Sequence, residues 1–161
     1  MRLCANYSTP AHLAHSLALA RARGYALGVK LVRGAYHPLE IAAHQVARSA
    51  TGSSSSHSFS ISPDLEPPVQ PSKEATDRCY NTCAASLIGA VSSDIHHSGR
   101  SGAPSIGVLF GTHNSTTCDL ILDEIVRKHL GTVEGDEEVI RIPPEVGERI
   151  TFGQLYGKYS A

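Results

Sequence analysis

The chain has no tryptophan, only 6% aromatic residues, and almost no charge imbalance, with a formal net charge of -1 over 161 residues. Near-neutrality removes the electrostatic footing for a nucleic-acid partner. No apolar run approaches the roughly 20 residues that a membrane-crossing helix requires. The four cysteines, Cys4, Cys79, Cys83 and Cys118, lack the paired CxxC spacing of a zinc module, and a chain of this length needs no disulfide framework. They read as reduced thiols. GxGxxG, the phosphate-cradling GxxxxGK[ST] and the GxSxG elbow are all missing. His96-His97 lies in a Ser- and Gly-rich stretch with no organised partner for a metal. Acidic residues are absent from positions 1–39, which carry Arg2, Arg21, Arg23, Lys30 and Arg33. Such a start resembles a mitochondrial transit peptide. The same stretch nevertheless runs unbroken into a strand and a polar loop, which a cleaved leader has no reason to encode.

What is present describes a globular chain, 41% hydrophobic and 18% charged. Its length suits one domain, 1–161. Thr9-Pro10 predicts a helix start, with Thr9 as N-cap and Pro10 at the first helical position. Leu13, Ala14, Leu17 and Ala20 give the apolar stripe, and Gly24 the stop. Ala26 to Val32 reads as a buried strand, and a second helix runs from Pro38 to about Arg48. Residues of about 49–71 (Ser-rich, then Pro63, Pro67, Pro68 and Pro71) read as a disordered insertion, because they bury too little to offset their ordering entropy. Ser72 caps a third helix with Ala75, Cys79, Cys83 and Leu87 on one face. Residues 92–104 read as a second disordered insertion. Ile106 to Phe110 is the next strand, followed by a helix capped at Asn114 or Ser115 with Cys118, Ile121, Leu122, Ile125 and Val126 inward. Asp123–Arg127 and Glu124–Lys128 are its expected surface pairs. Val139 to Ile142 is a weak strand and Ile150 to Phe152 a third main one. Strands alternating with helices predict an α/β fold with a parallel sheet.

In parallel α/β folds function collects beyond the strand ends. Past the first main strand come Arg33-Gly34-Ala35-Tyr36-His37, past the second Gly111-Thr112-His113-Asn114, and past the third Gly153-Gln154-Leu155-Tyr156-Gly157. Each segment joins a glycine, for close backbone approach, to polar or aromatic groups. If the strands are parallel, the three share one rim, and Lys30, Tyr36, His113 and Gln154 gather there. Each element also has a plainer reading. Lys30 and Arg33 can be solvated charges, Gly34 a turn glycine, and His113-Asn114 a capping arrangement. Three such segments in series favour a site.

The segment Gly28-Val29-Lys30-Leu31-Val32-Arg33-Gly34-Ala35-Tyr36-His37 resembles the strand-and-loop signature of the proline dehydrogenase family. Pro71-Ser72-Lys73-Glu74-Ala75-Thr76-Asp77 with Tyr80-Asn81, then Gly111-Thr112-His113-Asn114, then Phe152-Gly153-Gln154-Leu155-Tyr156-Gly157 match its later landmarks in order. Ser8-Thr9-Pro10-Ala11-His12-Leu13 is similar to the fungal branch. The likeness spans roughly residues 8–157 apart from the two insertions.

The resemblance implies a mitochondrial FAD-dependent enzyme built on a (β/α)8 TIM barrel, of which this chain is a fragment holding the middle strands. It implies oxidation of L-proline to 1-pyrroline-5-carboxylate in proline catabolism, a quinone electron acceptor, and peripheral inner-membrane association of the full enzyme. By position, Lys30 faces the flavin ring. Val32, Arg33, Gly34, Ala35 and Tyr36 line the flavin and its phosphates, and Ser72 and Lys73 lie near the pyrophosphate–adenosine half. Thr112 and His113 contact the flavin–ribityl region, while Gln154 and Leu155 border the active-site cavity, Gln154 as a cofactor contact and Leu155 on the substrate side. Three departures accompany this pattern. The family's Gln before the first helix is missing from Met1 to Tyr7, the strands that supply a substrate-side Lys and Asp lie outside the chain, and no Arg-Arg pair exists to grip the proline carboxylate. The alternative implied by these gaps is a non-catalytic remnant of such an enzyme.

Overall fold

The computed structural model describes residues 1–4, 8–33, 37–50, 69–97, 105–135 and 139–154. Two local signals set the first helical unit. Pro10 sits in the first turn, and Gly24 adopts the left-handed conformation (φ 66°), so that the cap N–H returns to the Ala20 carbonyl. The cap itself is Ser8 rather than Thr9; Thr9 is helical and buried. Leu13, Leu17 and Ala20 turn inward as expected, whereas Ala14 faces solvent.

The elements in order are Arg2–Cys4 (β1), Thr9–Arg23 (α1), Leu27–Val32 (β2), His37–Ala50 (α2), Lys73–His97 (α3), Ile106–Gly111 (β3), Ser115–Arg127 (α4), Thr132–Glu134 (β4), Val139–Arg141 (β5), Pro144–Gly147 (α5) and Ile150–Gly153 (β6). The main sheet has the order β1-β2-β3-β6 with every pair parallel. Lys30 pairs with Leu109, Val32 with Gly111, and Gly111 in turn with Gly153. β4 and β5 form a separate antiparallel hairpin.

One face of the sheet is covered by α1 and α3, with α4 packed against α3. Leu27, Val29, Leu31, Ile106, Val108 and Phe110 point into that layer, against Leu13, Tyr80, Leu87, Val91 and Ile125. The strands therefore alternate, with burial on every second residue of β2 and β3. Parallel sheets ordinarily read as continuous apolar runs because both faces are covered. Here the second face is open among the described residues.

The structure corrects several expectations. α3 continues through residues 92–97, so the second insertion begins no earlier than residue 98; the polar stretch is helical because Asp94 is a buried member of its inner face. α2 likewise reaches Ala50, and Val69 is buried, which trims the first insertion at both ends. Residues 51–68 and 98–104 lie outside the described set. Cys83 and Leu87 of the expected α3 line are buried and Cys79 packs against the core, but the inner face centres on Thr76, Tyr80, Ala84, Ile88 and Val91 as well. On α4, Arg127 pairs with Glu124 at i,i+3 in place of Asp123. The sheet has a fourth strand, β1, and the weak Val139 strand pairs with an unanticipated β4. Among the described residues no helix is long and apolar enough to cross a membrane.

Candidate functional site

Parallel pairing brings the residues after β2, β3 and β6 to the same end of the sheet, as expected. Arg33, Thr112–Asn114 and Gln154 stand at this rim, and Lys30 lies on the open face three residues before Arg33. Gly34, Ala35, Tyr36 and Leu155, also expected at this site, fall outside the described residues.

The rim is a connected polar network. Asn114 caps α4, its Oδ1 accepting from the Thr117 N–H at 3.0 Å. Its own N–H donates to Thr112 Oγ1 at 3.1 Å, and the Thr112 N–H donates to the Gly153 carbonyl at 3.3 Å. The hydroxyl of Thr117 donates to Asn81 Oδ1 at 3.0 Å and accepts from an Arg33 Nη. The other Arg33 Nη forms an ion pair with Asp77, and the guanidinium stacks 4.6 Å from the centroid of the Tyr80 ring. Tyr80 makes a long hydrogen bond (3.4 Å) to the Leu31 carbonyl. Burial lowers the Arg33 pKa, with Tyr80 and Cys118 opposing the shift. The Tyr80 phenol, itself buried, is raised well above its ordinary value.

Arg33 is therefore neither a solvated charge nor turned outward towards a phosphate. Its side chain is 16% exposed, with both terminal nitrogens committed to α3 and α4 and Nε buried without a hydrogen-bond partner among the described residues. This was invisible in the sequence because its partners lie 44 and 84 residues away. Lys73, by contrast, is 74% exposed while contacting Asp77 at 2.8 Å. Ser72 Oγ caps α3 by accepting from the Ala75 N–H at 3.1 Å. Glu74 occupies the same helix start, its pKa lowered by hydrogen bonds from its own backbone N–H and from Ser72.

The open face supplies the fit for a flat ring. Gly28, Lys30 and Val32 on β2 stand beside Gly107, Leu109 and Gly111 on β3, with Thr151 and Gly153 on β6. A Cβ on Gly28 would meet nothing within 4 Å, and one on Gly107 only the Arg149 carbonyl at 4.0 Å. One on Gly111 would come within 3.0 Å of Val32 Cγ1, and one on Gly153 within 3.2 Å of Leu109 Cδ2. Lys30 is exposed there and has no ion-pair partner among the described residues. A shallow floor of glycine with one free cation suits the flavin that the sequence resemblance implies. The helix start at Ser72–Lys73, already holding Glu74 and Asp77, offers less to an anion.

The fold is similar to that of solved structures of proline utilization A (PutA). A Bradyrhizobium japonicum mutant matches with a TM-score of 0.61 at 24% identity, over 97% of this chain and 11% of that one. A second mutant from the same organism gives 0.57 at 22% identity, over 95% and 14%. A structure of proline utilization A with proline bound in remote sites gives the same values. The chain thus spans a small part of the length of the solved chains that it matches, and the likeness at this identity concerns the fold. No curated protein matches the sequence. The family model described as proline dehydrogenase matches residues 55–157, beginning downstream of Lys30 and Arg33. With that match covering most of its length, and with the ordered rim segments after β3 and β6 inside it, the chain belongs to the proline dehydrogenase family.

Proposed function

We propose that the chain forms part of the wall of a (β/α)8 barrel in an FAD-dependent proline dehydrogenase, which oxidises L-proline to 1-pyrroline-5-carboxylate. The observation that carries this reading is the one-sided parallel sheet. Four parallel strands covered, among the described residues, by helices on one face, and glycine-rich on the other, suit the wall of a barrel whose interior side is turned towards a ligand. Closing a barrel takes eight strands, so such a wall acts together with further strands.

When bound, FAD supplies the hydride acceptor for the oxidation. The chain's residues hold and orient it. Lys30 presents a positive charge on the open face, where it favours negative charge on a nearby ring. Gly28 and Gly107 leave room for a flat group to lie against the backbone. Thr112, His113 and the capped start of α4 border the ring at the strand ends, with Gln154 beside them. Lys73, exposed but paired with Asp77, stands nearest the phosphate half. The Arg-Arg pair that would grip the proline carboxylate is not among the 161 residues, so binding of substrate falls to groups beyond this wall. A quinone acceptor, a mitochondrial location and peripheral association of the full enzyme with the inner membrane belong to the same proposal and rest on family membership alone.

The test is an FAD titration of the purified chain, followed by flavin fluorescence, with proline-dependent reduction of an artificial acceptor measured in parallel. Saturable flavin binding without turnover is the expected result. Failure to bind FAD overturns the proposed cofactor side. Turnover above a no-protein control shows that the reaction does without the paired arginines.

A further inference from the structure

We propose that Arg33 is a positioning residue that locks the end of β2 to the ends of β3 and β6, and that it does not itself contact the cofactor. The inference rests on the flavin reading above for its functional consequence, and on the rim network for its geometry. Both terminal nitrogens of Arg33 are engaged within the protein, one by the Asp77 carboxylate on α3 and one by the Thr117 hydroxyl on α4. The guanidinium plane is covered by Tyr80, whose hydroxyl reaches back to β2 at Leu31. From Thr117 the connection passes through Asn114 to Thr112, and from Thr112 to the Gly153 carbonyl on β6. One guanidinium therefore holds three strand ends in a fixed relation, and these are the ends that a single flavin would have to meet.

A fork-shaped donor suits this task. Guanidinium can bond two partners at a fixed angle while stacking on an aromatic ring, whereas an ammonium offers a point charge without that shape. Asp77 also draws in Lys73 at 2.8 Å, so one carboxylate orients both cations at this corner. Pulling Arg33 outward to a phosphate would leave partly buried Asp77 with the exposed Lys73 as its remaining cation. The pair consequently fixes the rim rather than waiting for a ligand.

The two roles predict opposite signs for the same substitution. If Arg33 gripped a phosphate, Asp77→Asn would remove a competing carboxylate and tighten FAD binding. As a positioning group, Arg33 loses its anchor in Asp77→Asn, and FAD binding weakens by about tenfold. Arg33→Lys keeps the charge and loses the fork, so it weakens binding by a similar factor, and the double variant is no worse than the weaker single one. Asp77→Glu restores part of the loss. The absorbance of the bound flavin, which reports its surroundings, shifts in Asp77→Asn and Arg33→Lys alike. Tighter binding in Asp77→Asn, full affinity in Arg33→Lys, or additive losses overturn the proposal. If Asp77→Asn does not fold by circular dichroism, Thr117→Val removes the hydroxyl with little change of shape and carries the same expectation.

Should the chain bind no FAD at all, the cofactor reading fails, while the lock is still decided by amide exchange. Asp77→Asn then speeds exchange at Thr112 and Asn114 by about tenfold relative to the unaltered chain. Unchanged exchange at both positions overturns the lock.

Discussion

α3 carries an aspartate–arginine pair at each end, and the two ends differ in how they treat it. Asp77 and Arg33 meet at the rim where the strands finish, with side chains 22% and 16% exposed. Asp94 and Arg149 meet at the opposite rim, with side chains 6% and 9% exposed. The separation of the two aspartates, Asp77 and Asp94, corresponds to about 25 Å of helix, the thickness of the layer that α3 spans. At the lower rim every oxygen of Asp94 is accounted for, by Arg149 and by the N–H and hydroxyl of Ser105, and Arg149 also donates to the Glu145 carbonyl at 3.1 Å. That cluster ties α3 to the starts of β3 and β6 and is closed to solvent. At the upper rim the carboxylate is shared with an exposed lysine, and the network opens onto the proposed cofactor face. Under the proposed function the closed pair serves stability and the open one the site, as the two ends of parallel strands divide in barrel enzymes.

The largest effect should come from breaking the closed pair. Asp94→Ala leaves Arg149 buried without its partner and is expected to cost about 3–5 kcal/mol, read from the denaturant midpoint at constant slope. Asp77→Asn at the open rim should cost less, about 1–2 kcal/mol, because the remaining hydrogen bonds and partial exposure soften the loss. Equal costs in the two variants would erase the distinction between the rims.

Substitution on the open face separates stability from binding. Gly28 has room for a methyl group, so Gly28→Ala should leave the fold unchanged or raise its stability by about 0.5 kcal/mol. The same variant should nevertheless bind FAD more weakly, because the methyl occupies the surface on which the ring lies. Full affinity for FAD in Gly28→Ala would detach the glycine floor from the cofactor.

The layer between the rims sets the smallest effect. Burial pushes the Cys83 thiol up to about 12 from an ordinary value of 9.0. The folded chain then keeps this proton to higher pH than the unfolded chain does, so the contribution is complete below pH 9 and is lost as pH rises towards 12. Tyr80, raised for the same reason, adds a loss of the same sign above pH 10. Cys83→Ala should flatten the fall in denaturant midpoint over this window without removing it.

Sequence made the four long helices and the three longest strands legible, because α1 and α4 carry stop and cap signals and because β2 and β3 are short apolar runs after turns, whereas the short α5 at Pro144–Gly147 passed as the end of a strand. It hid the parts whose buried members are polar or whose apolar members are exposed. Residues 92–97 read as a loop because Ser92, Ser93, Asp94 and the two histidines are polar, although Asp94 faces inward to an arginine 55 residues away. The β4–β5 hairpin was obscure because Thr132, Val133 and Glu134 are all exposed and show no alternating burial. Gly135, which follows β4, adopts the left-handed φ of 66°. The site divides in the same way. The strand-end positions of Thr112, His113 and Gln154 were legible from local rhythm, whereas the role of Arg33 depends on Asp77 and Thr117, which only tertiary packing brings to it.

The central claim is that the cofactor lies on the open face of the sheet, and photolabelling tests it most directly. An azido derivative of FAD, irradiated with the chain and mapped by mass spectrometry, should attach to peptides holding Gly28–Val32 and Gly107–Gly111, with labelling suppressed by excess FAD. Suppressible labelling confined to the outer surfaces of α1, α3 or α4 would contradict that placement.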